Sequence, residues 1–216
     1  MAKTVIIDAD PGIGDAVALA LALFDPDVDV LAITATAGTV TGRLATRNVQ
    51  AVIEGVDPPK WPRLGCSELA GSRPDYSVMN GPYGLGECEF GVAELHHTHD
   101  SVKVMIDVVR SEPNEVTLLA LGPLTNVAMA CERAPEFLGR LKGLVCLGGS
   151  VSSGGDVTPA AEFNIYANPE AARNVLLSRA TKTLVPLDAT SNVVLTFERF
   201  NRLIEGRDTP LATFLG

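Results

Sequence analysis

Short apolar runs rich in β-branched residues alternate along the chain with longer, helix-like stretches. Apolar runs of four to eight residues, bounded by turn-forming residues, are typical of strands buried inside a sheet. We therefore predict five strands, over Thr4–Asp8, Val30–Thr36, Val116–Leu121, Gly143–Leu147 and Lys182–Leu187.

The longer stretches carry several helix signals. Asp15–Phe24 is rich in Ala and Leu and is predicted to be a buried helix. Asn168–Glu170 places a cap residue, a proline and an acid in that order, which predicts a helix that continues to about Ser178. Pro123 is expected in the first turn of another helix, a position that tolerates proline. Two more helices are predicted over Gly42–Gly55 and Ser101–Arg110, and the proline-rich segment Asp57–Asp75 is predicted to be irregular.

Strands that alternate with helices indicate an α/β fold, with a mostly parallel, Rossmann-like sheet and helices on both of its faces. No internal repeat or linker divides the chain, so we expect a single domain over residues 1–216. Ligands of such sheets bind beyond the carboxyl ends of the strands. Candidate chemistry is therefore expected in residues 8–15, 36–41, 121–126, 147–164 and 187–192.

Composition narrows the classes of function. The net charge is −9, and the 17 Lys and Arg residues are scattered, so we expect no nucleic-acid partner. The longest apolar run, Ala16–Phe24, is about half a membrane span, and no signal peptide is recognised. We expect a cytoplasmic protein without a membrane partner. The four cysteines are widely spaced, which predicts reduced, partly buried thiols: Cys66, Cys88, Cys131 and Cys146.

Three carboxylates lie within eight residues at the end of the first predicted strand. Asp8 and Asp10 are two residues apart, so they point the same way on an extended backbone. Pro11 and two glycines bend the chain, which lets Asp15 turn back toward them. Like charges this close raise one another's pKa unless a cation is present, and a hard divalent ion suits oxygen ligands. Asp15 alone would be explained as a helix cap, but three acids around one turn favour a functional site.

Four segments resemble one family of enzymes. Residues 8–16 read DADPGIGDA and resemble the Asp-Thr-Asp-Pro-Gly-x-Asp-Asp-Ala signature of inosine–uridine-type nucleoside hydrolases. Residues 116–127 resemble the central strand and turn of that family, residues 148–164 its ribose-binding segment, and residues 80–86 its Gly-Leu-Gly loop. The order and spacing of the four motifs agree over the chain up to about Thr190, which is far more specific than any single motif.

The resemblance implies a role for each matching residue in calcium-dependent hydrolysis of ribonucleosides. Asp10 would bind Ca²⁺ and act as the general base toward the attacking water. Asp15 would be a second calcium ligand, and Thr125 a third through its backbone carbonyl. Asp8 would support these ligands from behind. Three residues would hold the sugar hydroxyls: Asp156, Glu162 and Asn164.

Several positions depart from the family pattern. Gly14 replaces an acid that the family uses on the ribose hydroxyls, and Thr39 replaces an Asn. Asn80 replaces a His of the Gly-Leu-Gly loop, and Asp156 stands where an Asn usually meets the primary hydroxyl. The chain also ends at Gly216, before a late His-Asp pair that supplies a leaving-group acid and another calcium ligand. We therefore expect weak calcium binding and slow or absent hydrolysis.

Other features have simpler explanations. The segment His96–Asp100 is interpreted as a solvated loop that caps the following helix, in preference to a metal clip. Trp61 is interpreted as a packing anchor in preference to a base-stacking platform. Asp188 and Asn192 follow a predicted strand, and either line the pocket or, for Asp188, cap the next turn.

Two other functions compete with the hydrolase. Asp8 and Asp10 also fit the Asp-x-Asp pair of a haloacid-dehalogenase-type phosphatase, but Pro11 stands where that family has Thr or Val, and Lys182 lacks the acids expected beside it. A non-catalytic ribose- or nucleoside-binding or assembly protein with a decayed site is the other alternative. A homo-oligomer is expected in either case, because an incomplete doubly wound domain leaves apolar surface exposed.

Overall fold

A computed structural model describes residues 2–70, 77–87 and 89–215 of the chain. Six parallel strands form one sheet in the order β3-β2-β1-β4-β5-β6. The strands are β1 (Lys3–Ala9), β2 (Val28–Ala35), β3 (Arg63–Gly65), β4 (Thr117–Ala120), β5 (Gly143–Leu147) and β6 (Lys182–Val185). The α/β fold with a parallel sheet is confirmed.

The chain changes direction across the sheet next to β1. From β1 it steps to β2 and β3, then returns to place β4 on the other side of β1, with Asp8 of β1 beside Ala120 of β4. The carboxyl ends of β1 and β4 therefore diverge into connections that leave on opposite faces. Open parallel sheets bind their ligands at this kind of switch point.

Helices cover both faces of the sheet. Alternate residues of β1 point to opposite sides, Ile6 into one apolar cluster and Val5 and Ile7 into the other. The helices are α1 (Ile13–Phe24), α2 (Gly42–Val56), α3 (Ser77–Asn80), α4 (Ser101–Ser111), α5 (Thr125–Arg133), α6 (Phe163–Ala167), α7 (Pro169–Leu176), α8 (Leu187–Thr190), α9 (Phe197–Ile204) and α10 (Pro210–Leu215), with a 3₁₀ turn at Leu138–Arg140. The Ile6 cluster contains residues of α4, α5 and α7, and the Val5 cluster those of α1 and α2.

Three details differ from the sequence predictions. The segment expected to be irregular contains the short edge strand β3, which pairs with β2 through Ala32–Thr34. Pro123 lies before α5 and not in its first turn, because the helix begins at Thr125. Helix α1 buries Ala16, Leu19 and Ala20 but leaves Leu21 64% exposed, so it is not a buried helix. Its mixed Ala and Leu composition hid this exposed side.

No helix within the described part of the chain is long and apolar enough to cross a membrane. The thiols of Cys66 and Cys131 are partly buried and that of Cys146 is buried, and all three are free, as predicted. Cys88 lies outside the described residues. The single-domain boundary at residues 1–216 stays a prediction.

Candidate functional site

Asp8 lies at the base of the site, at the end of β1, and its side chain is fully buried. Its Oδ1 accepts hydrogen bonds from Thr34 Oγ1 at 2.7 Å and Asn126 Nδ2 at 2.9 Å, which joins β1 to β2 and to α5. Burial raises the pKa of Asp8 to about 7, although both hydrogen bonds oppose this shift. No solvent reaches this carboxyl, so Asp8 lies in the interior beneath the candidate site, and its supporting role stays a prediction.

Asp10 lies two residues after Asp8, in the connection from β1 to α1, and is only 2% exposed. Its Oδ2 accepts a hydrogen bond from Thr39 N at 2.6 Å, and Thr39 Oγ1 donates to the Asp10 carbonyl at 3.1 Å. A Cβ at Gly38 would lie 2.1 Å from Oδ2, and one at Gly122 would lie 2.2 Å from Oδ1. Two glycines from the ends of β2 and β4 thus make room for this carboxylate.

The electrostatics of the pair Asp10 and Asp15 call for positive charge. Burial raises the pKa of Asp10 well above its ordinary value, and the nearby charge of Asp15 raises it further. Burial also raises the pKa of Asp15 to about 6, against a hydrogen bond from the Gly12 backbone. Asp15 lies in the first turn of α1, close enough to Asp10 for the two charges to interact. A cation between the two carboxylates would lower both pKa values.

Gly14 faces open space beside this pair. No atom lies within 4 Å of the Cβ that a larger residue would have there, and Gly14 is exposed in the first turn of α1. The neighbouring Ile13 N donates to Asn80 Oδ1 at 3.3 Å, so Asn80 holds the start of the helix. Gly14 stands where the motif that it resembles has an acid, and no other described side chain fills the space that this leaves.

Asn48 was missed by the sequence analysis. Its buried Nδ2 donates to the carbonyls of Pro11 at 3.0 Å and Tyr83 at 2.9 Å, which ties the acid-bearing turn to the Gly-Leu-Gly loop. Gly84 has φ +79°, and a Cβ there would lie 2.7 Å from Asn48 Nδ2. A polar residue on the apolar face of α2 was the available signal, since buried amides need partners.

Glu162 and Asn164 lie across the edge from Asp10, after β5. The Glu162 carboxylate accepts hydrogen bonds from three backbone N–H groups: Gly149 at 2.7 Å, Asn164 at 3.0 Å and Ile165 at 3.2 Å. Asn164 Nδ2 donates to the carbonyls of Leu121 at 2.7 Å and Leu147 at 3.0 Å, which bridges the ends of β4 and β5. Both side chains thus hold the backbone in place, and each keeps lone pairs on oxygen, on Glu162 Oε1 and Asn164 Oδ1.

Burial raises the pKa of Glu162, and the charge of Asp156, which is exposed in the loop between β5 and α6, adds a smaller contribution. Thr125 begins α5, and its Oγ1 accepts a hydrogen bond from Asn168 Nδ2 at 3.1 Å. The neighbouring Asn126 reaches Asp8, so Thr125 belongs to the same edge of the sheet. The structure therefore gathers the predicted site residues at one edge, and their chemical roles stay predictions.

The donor set fits a hard cation only in part. Asp10 and Asp15 supply carboxylate oxygens whose raised pKa values a cation would relieve, and two buried oxygens nearby, Asp8 Oδ2 and Thr36 Oγ1, have no hydrogen-bond partner. Among residues 2–70, 77–87 and 89–215, however, no three His, Cys, Asp or Glu side chains are grouped to hold a metal ion. Calcium takes six to eight oxygens, so backbone carbonyls and water would have to complete its shell.

The remaining candidates do not join this site. His96, His97 and His99 are exposed, and Asp100 caps α4 by accepting from Lys103 N at 2.9 Å, which confirms a solvated capping loop. Trp61 is 56% exposed, so the prediction of a packing anchor is wrong. Its indole N–H instead donates to Asp57 Oδ1 at 3.2 Å in the exposed turn after α2.

A cavity of about 470 Å³ lies between α5 and α7, at the opposite end of the sheet from Asp10. Its lining mixes apolar residues such as Ala128 and Leu138 with charged ones such as Glu132 and Arg179. The carboxylates and amides described above do not line this cavity. The carboxylates and amides therefore favour the carboxyl ends of the strands as the functional site. The volume of a cavity alone does not identify the site.

Comparison with known proteins agrees with this arrangement. The family model described as inosine-uridine preferring nucleoside hydrolase matches residues 5–216. Uridine nucleosidase 1 of Arabidopsis thaliana is 39% identical over 197 residues, which cover 89% of this chain and 59% of that protein. The inosine-uridine preferring nucleoside hydrolase of Crithidia fasciculata is 37% identical over 221 residues, covering 100% of this chain and 69% of that protein.

Among solved structures, a plant nucleoside hydrolase superposes with a TM-score of 0.88 at 32% identity, covering 100% of this chain and 69% of that one. The chain spans between 59% and 66% of the length of three curated relatives, from Schizosaccharomyces pombe, from rice and the Arabidopsis protein named above. The similarity therefore includes the whole described sheet and its carboxylate edge.

Proposed function

Because the chain belongs to the inosine-uridine preferring nucleoside hydrolase family, we propose that it cleaves the N-glycosidic bond of ribonucleosides to ribose and free base. The observation that carries the proposal is the buried Asp10 carboxylate, next to Asp15 and seated between Gly38 and Gly122 at the switch point of the sheet. Helix capping alone would not require glycine at two positions that contact a buried acid.

Asp10 is the proposed general base. A base with a pKa raised toward the working pH takes up a proton from water effectively, and general-base catalysis contributes about 10²–10⁴-fold. In the metal-free protein, burial and the charge of Asp15 raise the pKa of Asp10, and a bound cation would offset part of this shift. As the nucleobase leaves, positive charge develops on the sugar ring, and the carboxylates of Asp10 and Asp15 stabilise this charge at close range.

The family is generally metal-dependent, and we propose Ca²⁺ as the ion. Asp10, Asp15 and the carbonyl of Thr125 would hold it at the switch point. When bound, it supplies positive charge that acidifies a nearby water and keeps both carboxylates ionised. With two carboxylates in the described donor set and Gly14 in place of an acid, we expect weak binding and slow turnover.

Glu162, Asn164 and Asp156 are the proposed sugar ligands. Glu162 Oε1 and Asn164 Oδ1 can each accept one more hydrogen bond, from ribose hydroxyls, while the backbone bonds of both residues keep them in place. The exposed Asp156 can reach a hydroxyl only from the loop side. These contacts orient the sugar so that its anomeric carbon faces Asp10.

A product assay tests the function directly. Inosine, uridine and cytidine are incubated with the protein and Ca²⁺, and ribose and base are quantified by chromatography. We expect equimolar ribose and base that disappear on chelation. Nucleoside binding without either product would favour the non-catalytic alternative. Phosphate release from a phosphomonoester with Mg²⁺, in place of base release, would favour the phosphatase.

Without divalent ions, the free energy of unfolding is expected to fall as pH rises from about 4 to about 7. The ordinary aspartate pKa is 3.8, and in the folded chain Asp8 has a pKa of about 7 and Asp15 of about 6. The folded state therefore holds protons that the unfolded state has already released, and this stabilisation is lost as pH passes the folded pKa values. The lowered pKa of Asp188 acts only at more acidic pH.

Urea unfolding at several pH values, with chelator and then with Ca²⁺, measures this effect. Calcium is expected to stabilise the protein more at pH 8 than at pH 5, because at pH 5 it must displace protons. Asp10→Asn should flatten the profile, since it removes one of the titrating groups. Stability that rises from pH 5 to pH 8 in chelator would contradict the carboxylate cluster.

We also propose that the chain self-associates through α1. Ile13, Leu21 and Phe24 lie on one side of this helix, and each is at least 41% exposed. Light scattering over a wide range of concentrations should detect a homo-oligomer, and Leu21→Lys should shift it toward monomer. A monomer at every concentration would overturn this proposal without affecting the proposed activity.

A further inference from the structure

The loop after β5 is held by a carboxylate from outside the motifs that resemble the family. Asp188 lies in α8, just after β6, and its Oδ1 accepts hydrogen bonds from Ser152 N at 2.8 Å, Ser152 Oγ at 2.6 Å and Ser153 N at 3.1 Å. Its Oδ2 accepts from Val151 N at 2.8 Å. Four donors from three consecutive residues converge on one side chain, which fixes the path of the exposed turn 151–153.

The same loop is held at its base by a second carboxylate. Glu162 accepts from Gly149 N at 2.7 Å, and the Gly149 carbonyl accepts from Leu187 N at 2.9 Å. Gly149 has φ +78°, a conformation that favours glycine, so the backbone turns sharply at this point. The residues between the two anchors therefore have little freedom, although the Val151 side chain is 81% exposed.

The held segment leads directly into the proposed sugar ligands. Asp156 follows the turn by three residues, and within the loop Gly155 N donates to the Pro159 carbonyl at 3.2 Å and Val157 N to the Ala161 carbonyl at 3.1 Å. Through these bonds, a movement of the turn 151–153 would be transmitted along the loop to Ala161, the neighbour of Glu162. A displaced turn would shift Asp156 first and Glu162 second.

We propose that Asp188 is a positioning residue for sugar binding, which acts through Val151–Ser153 to place Asp156 and Glu162 against the ribose. This inference rests on the proposed function of the site. The donors hold the pKa of Asp188 well below its usual range, so the carboxylate stays ionised wherever the enzyme would work. Asp188 itself needs no contact with substrate.

The substitution Asp188→Asn tests the proposal with little change in shape. When the amide oxygen takes the place of Oδ1, the amide nitrogen faces Val151 N–H, so donor meets donor and that bond is lost. Because misplacement of a binding group by about 1 Å costs up to roughly 100-fold, we expect about a 10-fold rise in KM for uridine and a change in kcat below about 3-fold. Ser152→Ala removes one of the four bonds and should have a smaller effect.

Asp29→Asn is the matched control, because Asp29 pairs with Lys60 on the surface, at the amino end of β2. Ribose affinity and amide hydrogen exchange over residues 150–161 are measured beside turnover. In Asp188→Asn we expect ribose affinity to fall about 10-fold and exchange in this segment to rise, with Asp29→Asn unchanged. Asp188→Glu, whose carboxylate can reach some of the donors, should recover part of the affinity.

The outcomes separate the inference from the function on which it rests. If the wild-type protein turns over uridine and Asp188→Asn has wild-type KM and ribose affinity, the positioning role is wrong and the function stands. If the wild-type protein binds ribose but releases no base, the function is wrong, and the loss of ribose affinity in Asp188→Asn still decides the role of Asp188. Wild-type protein that neither binds ribose nor releases base would overturn both.

Discussion

Asp10→Asn should reduce base release by roughly 10²–10⁴-fold, the usual contribution of a general base. The amide has the shape of the carboxylate and keeps an acceptor for Thr39 N, but it cannot take a proton from water. The metal-free variant should be at least as stable as the wild-type protein at pH 8, because a buried charge is removed. Base release under single-turnover conditions and urea unfolding measure the two effects together.

Asp29→Asn is again the control, since Asp29 lies at the amino end of β2, far from the switch point, and pairs with Lys60. Its base release should match that of the wild-type protein. If Asp10→Asn keeps more than about a tenth of the wild-type rate, well short of the loss expected for a general base, then Asp10 has another role. Loss of activity together with loss of stability would point instead to a structural role for this carboxylate.

Gly14→Asp is expected to raise kcat/KM for uridine by about 10–100-fold, the range in which losing or gaining a supporting ligand usually acts. The space beside Gly14 is open, so an aspartate fits without displacing other atoms. An acid in the first turn of α1 is also favoured by the helix dipole. The added carboxylate would accept hydrogen bonds from ribose hydroxyls and add negative charge beside the cation.

Gly14→Ala separates the carboxylate from the loss of glycine, because it fills the same space without an acceptor. Steady-state kinetics and calcium titration of both variants are the measurement. Alanine should leave kcat/KM near the wild-type value. Equal gains in the two variants would mean that helix stability, and not sugar binding, limits kcat/KM. No gain in either variant would mean that Gly14 does not limit kcat/KM.

The sequence predicted the parts of the fold that depend on strong apolar patterns. Strands β1, β2, β4, β5 and β6 overlap the predicted ranges, because each contains two or more consecutive apolar residues. Strand β3 has three residues in a proline-rich segment, which is too short for any periodic signal. Exposure of α1 was also hidden, since a helix of Ala and Leu reads the same on all sides.

For the site, sequence spacing predicted which residues meet but not what they bond to. Asp8, Asp10 and Asp15 follow one strand, so a local motif was enough to group them. The partners of Asn48 and Asp188 lie 35 to 37 residues away in the chain, so only the folded backbone reveals them. Glu162 was predicted as a sugar ligand, and its additional hold on Gly149 depends on a backbone conformation that no residue pattern specifies.

A crystal structure of the protein with Ca²⁺ and ribose would test the assignment of the site most directly. We expect one ion at about 2.3–2.6 Å from oxygens of Asp10, Asp15 and the Thr125 carbonyl, the usual range for calcium. Ribose hydroxyls should lie within hydrogen-bond distance of Glu162 Oε1 and Asn164 Oδ1. An ion bound instead at the exposed His96–Asp100 loop, or a saturated crystal without an ion between Asp10 and Asp15, would contradict the assignment.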